Sequence, residues 1–163
     1  MPIEFPENLA PLDFAQIADM TGLEQLQAML EQKLPAPPIA KTLNFILHEV
    51  EEGRAVFRGE PLSAFLNPLG LIHGGWIATL LDSALGCAVQ AKLNKGEGYT
   101  TADFNVHCVR AVMPDTGEMF CEGKIVHRGR RMATAEATLK DANGKLYAHG
   151  TETCFILDFT GGG

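Results

Sequence analysis

Residues 67–91 read NPLGLIHGGWIATLLDSALGCAVQA. A loop rich in Pro and Gly leads through His73-Gly74-Gly75 into about five turns of expected helix. From residue 74 to residue 91 the sole charged side chain is Asp82. A carboxylate in an otherwise apolar helix is costly to bury without a partner or a purpose. The helix reads as apolar on all sides, so most of its surface should be covered.

Upstream, Asp13 with Gln16 and Thr21 with Glu24 have the spacing of helix-starting capping boxes. Leu23, Leu26, Met29 and Leu30 recur at helical spacing, and Pro35, Pro37 and Pro38 are expected to stop that helix. Residues 1–40 thus read as a helical N-terminal extension and a Pro-rich joint. The main domain covers residues 41–163. An apolar helical stripe ordinarily means packing, so the extension is expected to cover core or an oligomer surface rather than gate a substrate.

Residues 42–49 and 54–58 read as strands separated by Glu51-Glu52-Gly53. Strands resume from Tyr99. Residues 119–127 form one of them, and Gly129 lies in the turn that follows. Ala133, Ala135, Ala137 and Leu139 then alternate with Thr134, Glu136, Thr138 and Lys140 in a period of two. Asn143-Gly144 is a hairpin signal, with residues 145–157 returning. Residues 160–163 are expected to be mobile. One sheet needs one apolar layer to close its core. The expected fold is therefore α+β, an antiparallel sheet curled around the central helix, and the helical face left over needs another cover, such as a second subunit.

The chain has 163 residues, enough for one real core. Its 46% hydrophobic and 20% charged residues are ordinary for a soluble globular protein. A net charge of -7 argues against a general nucleic-acid binder but leaves room for a local basic site. The first residues, MPIEFPENLAPLDF, lack the basic and apolar regions of a signal peptide. Residues 76–91 are too few to span a bilayer, and Asp82 interrupts them, so no membrane partner is expected. Cys87, Cys108, Cys121 and Cys154 lie far apart with no CxxC pair. Reduced thiols in a cytoplasmic protein without a metal are the expected reading.

Three stretches then form a recognisable set. They are Asn67-x-x-Gly70-x-x-His73-Gly74-Gly75 followed by Asp82, Tyr99-Thr100-Thr101-Ala102-Asp103-Phe104, and His127-Arg128-Gly129-Arg130. Together they resemble the hotdog-fold acyl-CoA thioesterases of the phenylacetate-degradation type, over about residues 40–157. The resemblance implies a homodimer, often a dimer of dimers, with active sites at the subunit interface. It implies that the Gly74 backbone N–H polarises the thioester carbonyl and that Asp82 is nucleophile or general base. Asn67 and His73 would line the site, and Thr101 would position water or the carboxylate. Gly75, Thr100 and the turn His127, Arg128, Gly129, Arg130 and Arg131 would contact substrate, the turn lying where the family holds CoA. No cofactor beyond the CoA of the substrate is implied.

The chemistry agrees with this set. Thioester hydrolysis passes through an oxyanion, so it needs a donor aimed at that oxygen and a group that attacks or activates water. Helix N-termini offer free N–H groups and a positive dipole end. Glycines there permit close approach. Asp82 lies eight residues after Gly74, roughly 12 Å along the helix. That is too far for both to act on one carbonyl. Two such helices antiparallel across a two-fold axis would bring Asp82 of one near Gly74 of the other, giving two equivalent sites.

Structural readings stand beside these roles. Asp82 could be satisfied by Ser83, Thr79 or a backbone group. His73 could brace the loop, Trp76 could fill an interface rather than an acyl pocket, and the arginine turn could be solvated. Strict alternation puts Thr100 on the face of Phe104 unless a bulge intervenes; Thr101 is preferred on the motif. Two other activities fit the same residues. One is a hotdog acyl-thioester dehydratase or hydratase using His73 and Asp82, and the other is a non-catalytic acyl-CoA binding module.

Overall fold

The computed structural model describes residues 3–160. Residues 161–163, most of the tail expected to be mobile, lie outside them. Four helices are described: α1 (Phe14–Ile17), α2 (Gly22–Leu30), α3 (Pro38–Thr42) and α4 (Gly74–Gln90). Six strands follow the order β1 (Phe45–Glu51), β2 (Arg54–Gly59), β3 (Glu97–Cys108), β4 (Met119–Arg128), β5 (Met132–Asp141) and β6 (Leu146–Asp158). They form one antiparallel sheet, ordered β1-β2-β4-β5-β6-β3, that holds α4 on its concave face. This is the hotdog arrangement.

The period of two in β5 is what closes the core. Ala133, Ala135, Ala137 and Leu139 are buried, and they meet Leu80, Leu81, Ala84, Leu85 and Val89 of α4 in one apolar cluster. Small residues bring the helix close to the sheet. A Cβ at Gly123 in β4 would lie 2.1 Å from the Ala84 carbonyl oxygen, so only glycine permits this crossing. Trp76 belongs to the same cluster: it is 2% exposed, donates from Nε1 to the Leu43 carbonyl at 2.7 Å, and stacks on Phe65. It packs its own core.

α4 is not apolar on all sides. Thr79, Asp82, Ser83, Cys87 and Gln90 form a partly uncovered stripe along it, at spacings of three and four. The opposite margin of the sheet is also open. Among the described residues β3 pairs only with β6, and most of its twelve residues are exposed.

The extension departs from its expected outline. Thr21 makes the expected capping box with Glu24, but Asp13 caps α1 by accepting from the Ala15 N–H, without Gln16. The prolines do not stop α2. It ends at Leu30, where the backbone turns through Gln32 at φ 58, before Pro35 is reached. Pro38 instead starts a helix, at the first position, where a missing N–H costs nothing. Thr42 belongs to that helix, so β1 begins only at Phe45, and the expected boundary at residues 40–41 falls inside α3. α2 and α3 both pack on β1. No helix of the described residues is long and apolar enough to cross a membrane.

The Gly123 crossing gives a direct check on this packing. Gly123→Ala should lower the unfolding free energy by about 1–3 kcal/mol, read by urea denaturation, because the added methyl must displace backbone of α4.

Candidate active site

The loop before α4 is built by Asn67. Its Oδ1 accepts from Leu69 N–H at 2.9 Å and from Leu71 N–H at 3.1 Å, and Gly70 takes the φ of 79 that closes the turn. His73 is the N-cap of α4, its Nδ1 accepting from the Gly75 N–H at 2.9 Å. A cap of this kind is worth about 1 kcal/mol. Bracing the helix start is thus a role His73 performs in this structure. Gly75 has its N–H committed to that cap, so it can offer a ligand space but no donor. The Gly74 N–H, one position earlier, has no partner among the described residues. A Cβ at Gly74 would meet nothing within 4 Å. Both the donor and the space around it are open.

Asp82 stands two turns further along. The hydroxyls that could satisfy it are already used: Thr79 donates to the Gly75 carbonyl and Ser83 to the Thr79 carbonyl, each at 2.8 Å within the helix. The Asp82 carboxylate has no hydrogen-bond or ion-pair partner among the described residues. Burial alone pushes its pKa above the ordinary aspartate value. With Ser83, Cys87 and Tyr99 it lines a cavity of about 400 Å³. The Cys87 thiol there is pushed up to about 12, first by burial and then by Glu152 and Asp82, so it is held protonated.

The third part of the site comes from the sheet. β3 carries a bulge between Thr101 and Asp103, with Ala102 the extra residue. Tyr99 reaches α4 at Gly86, where a Cβ would lie 2.4 Å from its hydroxyl. Thr101 shares the face of Tyr99, whereas beyond the bulge that face passes to Phe104 and Val106. Thr100 lies on the outward face, opposite Phe155, and does not join the site. The Thr101 hydroxyl donates to Glu152 Oε1 at 2.7 Å, and the Cys154 thiol donates to the same oxygen at 3.0 Å.

Glu152 is the residue that sequence reading missed. It is 2% exposed, and its Oε2 is buried with no hydrogen-bond partner. Burial raises its pKa; the bonds from Thr101 and Cys154 pull it back, and the charge of Asp82 adds to the rise. A signal was present. Glu152 shares inward parity in β6 with Ala148, Gly150 and Cys154, where a period of two demands an apolar or small residue.

The basic turn between β4 and β5 divides in two. Arg128 is half-buried, ion-paired with Glu97, and donates from Nη1 to the Gly129 carbonyl at 2.8 Å. Its guanidinium is therefore committed to holding the turn. Arg130 and Arg131 are exposed, and neither has an ion-pair partner among the described residues. His127 is exposed near the end of β4, and a Cβ at Gly129 would press on it at 3.2 Å.

Residues 69–148 match the model of the thioesterase superfamily. A protein of Saccharolobus solfataricus named as an inferred esterase is 28% identical over 134 residues, covering 82% of this chain and 94% of its own. A phenylacetic acid degradation-related protein of Ralstonia eutropha has a solved structure that superposes with a TM-score of 0.72 at 29% identity. That match covers 80% of this chain and 98% of the other. A Streptococcus mutans protein, solved bound to acetyl CoA, superposes at 0.63 with 25% identity, covering 71% and 90%.

The unpartnered Asp82 makes a pH-dependent prediction. Its folded pKa is raised, so the stability it contributes is fully present below the ordinary aspartate value and lost as pH rises through the folded one. At neutral pH, Asp82→Asn should melt above the parent, by on the order of a few degrees. The gap should close as pH falls below about 3.9. Thermal melts of both proteins across pH check this.

Proposed function

We propose, from the premise that this chain belongs to the thioesterase superfamily and is a thioester hydrolase of the hotdog fold, that its substrates are acyl-CoA thioesters and that each active site is shared by two copies. One observation carries the reading. An unpartnered carboxylate and an unpartnered N–H lie on the same straight helix, eight residues and roughly 12 Å apart. One chain cannot bring both to one carbonyl; two antiparallel copies can. The long unpaired edge of β3 supports the same arrangement, since such an edge is a template for pairing with another chain. Phe104 stands on it 39% exposed.

In this site the thioester oxygen accepts from the Gly74 N–H of one subunit, at the positive end of α4. Asp82 of the other subunit removes a proton from water, and the hydroxide so formed attacks the carbonyl carbon. The tetrahedral oxyanion collapses, the C–S bond breaks, and the departing CoA sulfur recovers the proton. Direct attack by the carboxylate gives an anhydride that water then opens, with the same net balance. The raised pKa of Asp82 makes it a stronger base than an ordinary aspartate. Glu152 fixes the Thr101 hydroxyl beside the reacting water. Asn67 and His73 hold the loop that aims Gly74. Arg130 and Arg131 supply the cations for CoA phosphates, with Arg128 and Gly129 shaping their turn and His127 at its margin.

Release of free thiol from a panel of acyl-CoAs tests this. The parent should turn over at least one of them, and Asp82→Asn should be slower by about a hundredfold or more. Equal rates would remove Asp82 from the mechanism, and an enoyl product in place of free thiol would make the protein a dehydratase.

A further inference from the structure

We infer that the N-terminal extension is the outer wall of an acyl-chain pocket, and that this pocket selects an apolar acyl group of medium length. The inference rests on the acyl-CoA reading above and adds to it the class of acyl group.

The cavity that Asp82 lines runs away from the carboxylate into apolar surface. Its inner wall is β1 and β2, through Ile46, Leu47 and Phe57, with α4 at the polar end. More than half of its lining residues come from the first forty residues of the chain: Leu12 before α1, Met29 and Leu30 from α2, and Ile39 from α3 among them. Leu30 and Ile39 remain 37% and 46% exposed, while Leu26 of α2 and Ala40 of α3 are buried beside them. An apolar side chain left open over a cavity that ends in a catalytic carboxylate is what an acyl chain needs and what a covering role alone does not. The family match begins at residue 69, so these side chains lie outside the region it describes.

The wall is a built one. α2 begins so close to the end of α4 that a Cβ at Gly22 would lie 1.8 Å from the Gln90 carbonyl oxygen. Gly22 N–H donates to the Leu93 carbonyl at 3.1 Å, and Gln90 Nε2 donates to Gln25 Oε1 at 3.0 Å. Leu26 is 1% exposed beneath them. The segment leading into α1 bonds to the segment before α3, Ala10 N–H to the Ala36 carbonyl at 3.1 Å. A wall fixed at these points sets a length limit rather than adapting to every substrate. At about 30 Å³ for each water-sized group, a cavity of about 400 Å³ holds on the order of ten methylenes. Such a chain fills the cavity, and the further methylenes of a much longer one gain no wall to pack on.

The experiment compares kcat/KM for acetyl-, decanoyl- and palmitoyl-CoA in the parent, Met29→Trp and Met29→Ala, with thermal melts of each. The parent should prefer decanoyl-CoA. Met29→Trp, which fills the pocket, should lower the decanoyl-to-acetyl ratio at least about tenfold, the low end of what losing room for even one methylene is worth. Met29→Ala, which enlarges it, should raise the palmitoyl-to-decanoyl ratio, so the inference can still fail if the tryptophan variant does not fold. Ratios unchanged in Met29→Ala, or a parent indifferent to chain length, would overturn the pocket. Binding of decanol, which lacks the thioester, is measured in parallel by calorimetry. Decanol bound by the parent and lost in the tryptophan variant supports the pocket even if no acyl-CoA is cleaved, an outcome that would defeat only the hydrolase substrate. Decanol not bound at all would overturn the pocket.

Discussion

The carboxylate of Asp82 is held partly out of water with no donor among the described residues to receive it, and the architecture around it follows from that constraint. Removing a charge from water is unfavourable unless something repays it. Thr79 and Ser83 could have repaid it and do not, because their hydroxyls turn back to the helix carbonyls. The sheet adds to the cost, because it brings up another buried acid, Glu152, itself left with an unpaired oxygen, whose pKa the charge of Asp82 helps to raise. The cost is tolerated because the rest of α4 is buried so thoroughly. Leu80, Leu81, Leu85 and Val89 are fully covered, and each such side chain contributes about 1.5–3 kcal/mol. The helix acts as a rigid rod that carries one unfavourable group to a set position.

Two further consequences belong to the same rod. Its N-terminus is left with a free N–H at Gly74, because His73 caps the next position and nothing caps this one. Its C-terminal half is flanked by α2, which closes the cavity that Asp82 faces. The groups proposed as oxyanion donor, base and acyl wall are therefore ordered along one helix. The spacing that keeps donor and carboxylate apart in one chain is the reason the proposed mechanism takes a second chain.

Much of this was legible in the sequence, and the reasons are local. The solitary charge at residue 82, the glycine pair before it and the alternation in β5 each report on a short stretch, where spacing translates directly into geometry. The bulge at Ala102 was detectable only as a conflict, since Thr101 and Phe104 could not otherwise share a face. What escaped depends on contacts distant in sequence. Arg128 looked free for CoA until Glu97, thirty-one residues away, was seen to hold it. Glu152 gave a parity signal, but its meaning needed Thr101 from the neighbouring strand. The extension read as packing because its helical stripe does pack; that Leu12, Met29 and Ile39 also face a common space could not be read from any one element.

The shared site is tested most directly by a mixed dimer, isolated with two different tags, in which one chain carries Asp82→Asn and the other Gly74→Pro. Proline is accepted at the first position of a helix. His73, at φ -60 and ψ 136, already has the conformation that a following proline requires. The space around Gly74 is open, so the substitution deletes the N–H with little else disturbed. If each site takes Gly74 from one chain and Asp82 from the other, one site of the mixed dimer is intact. Its rate should be about half that of the parent, while each variant alone keeps about a hundredth or less. A mixed dimer as inactive as its two parents would place donor and carboxylate in the same chain and contradict the account.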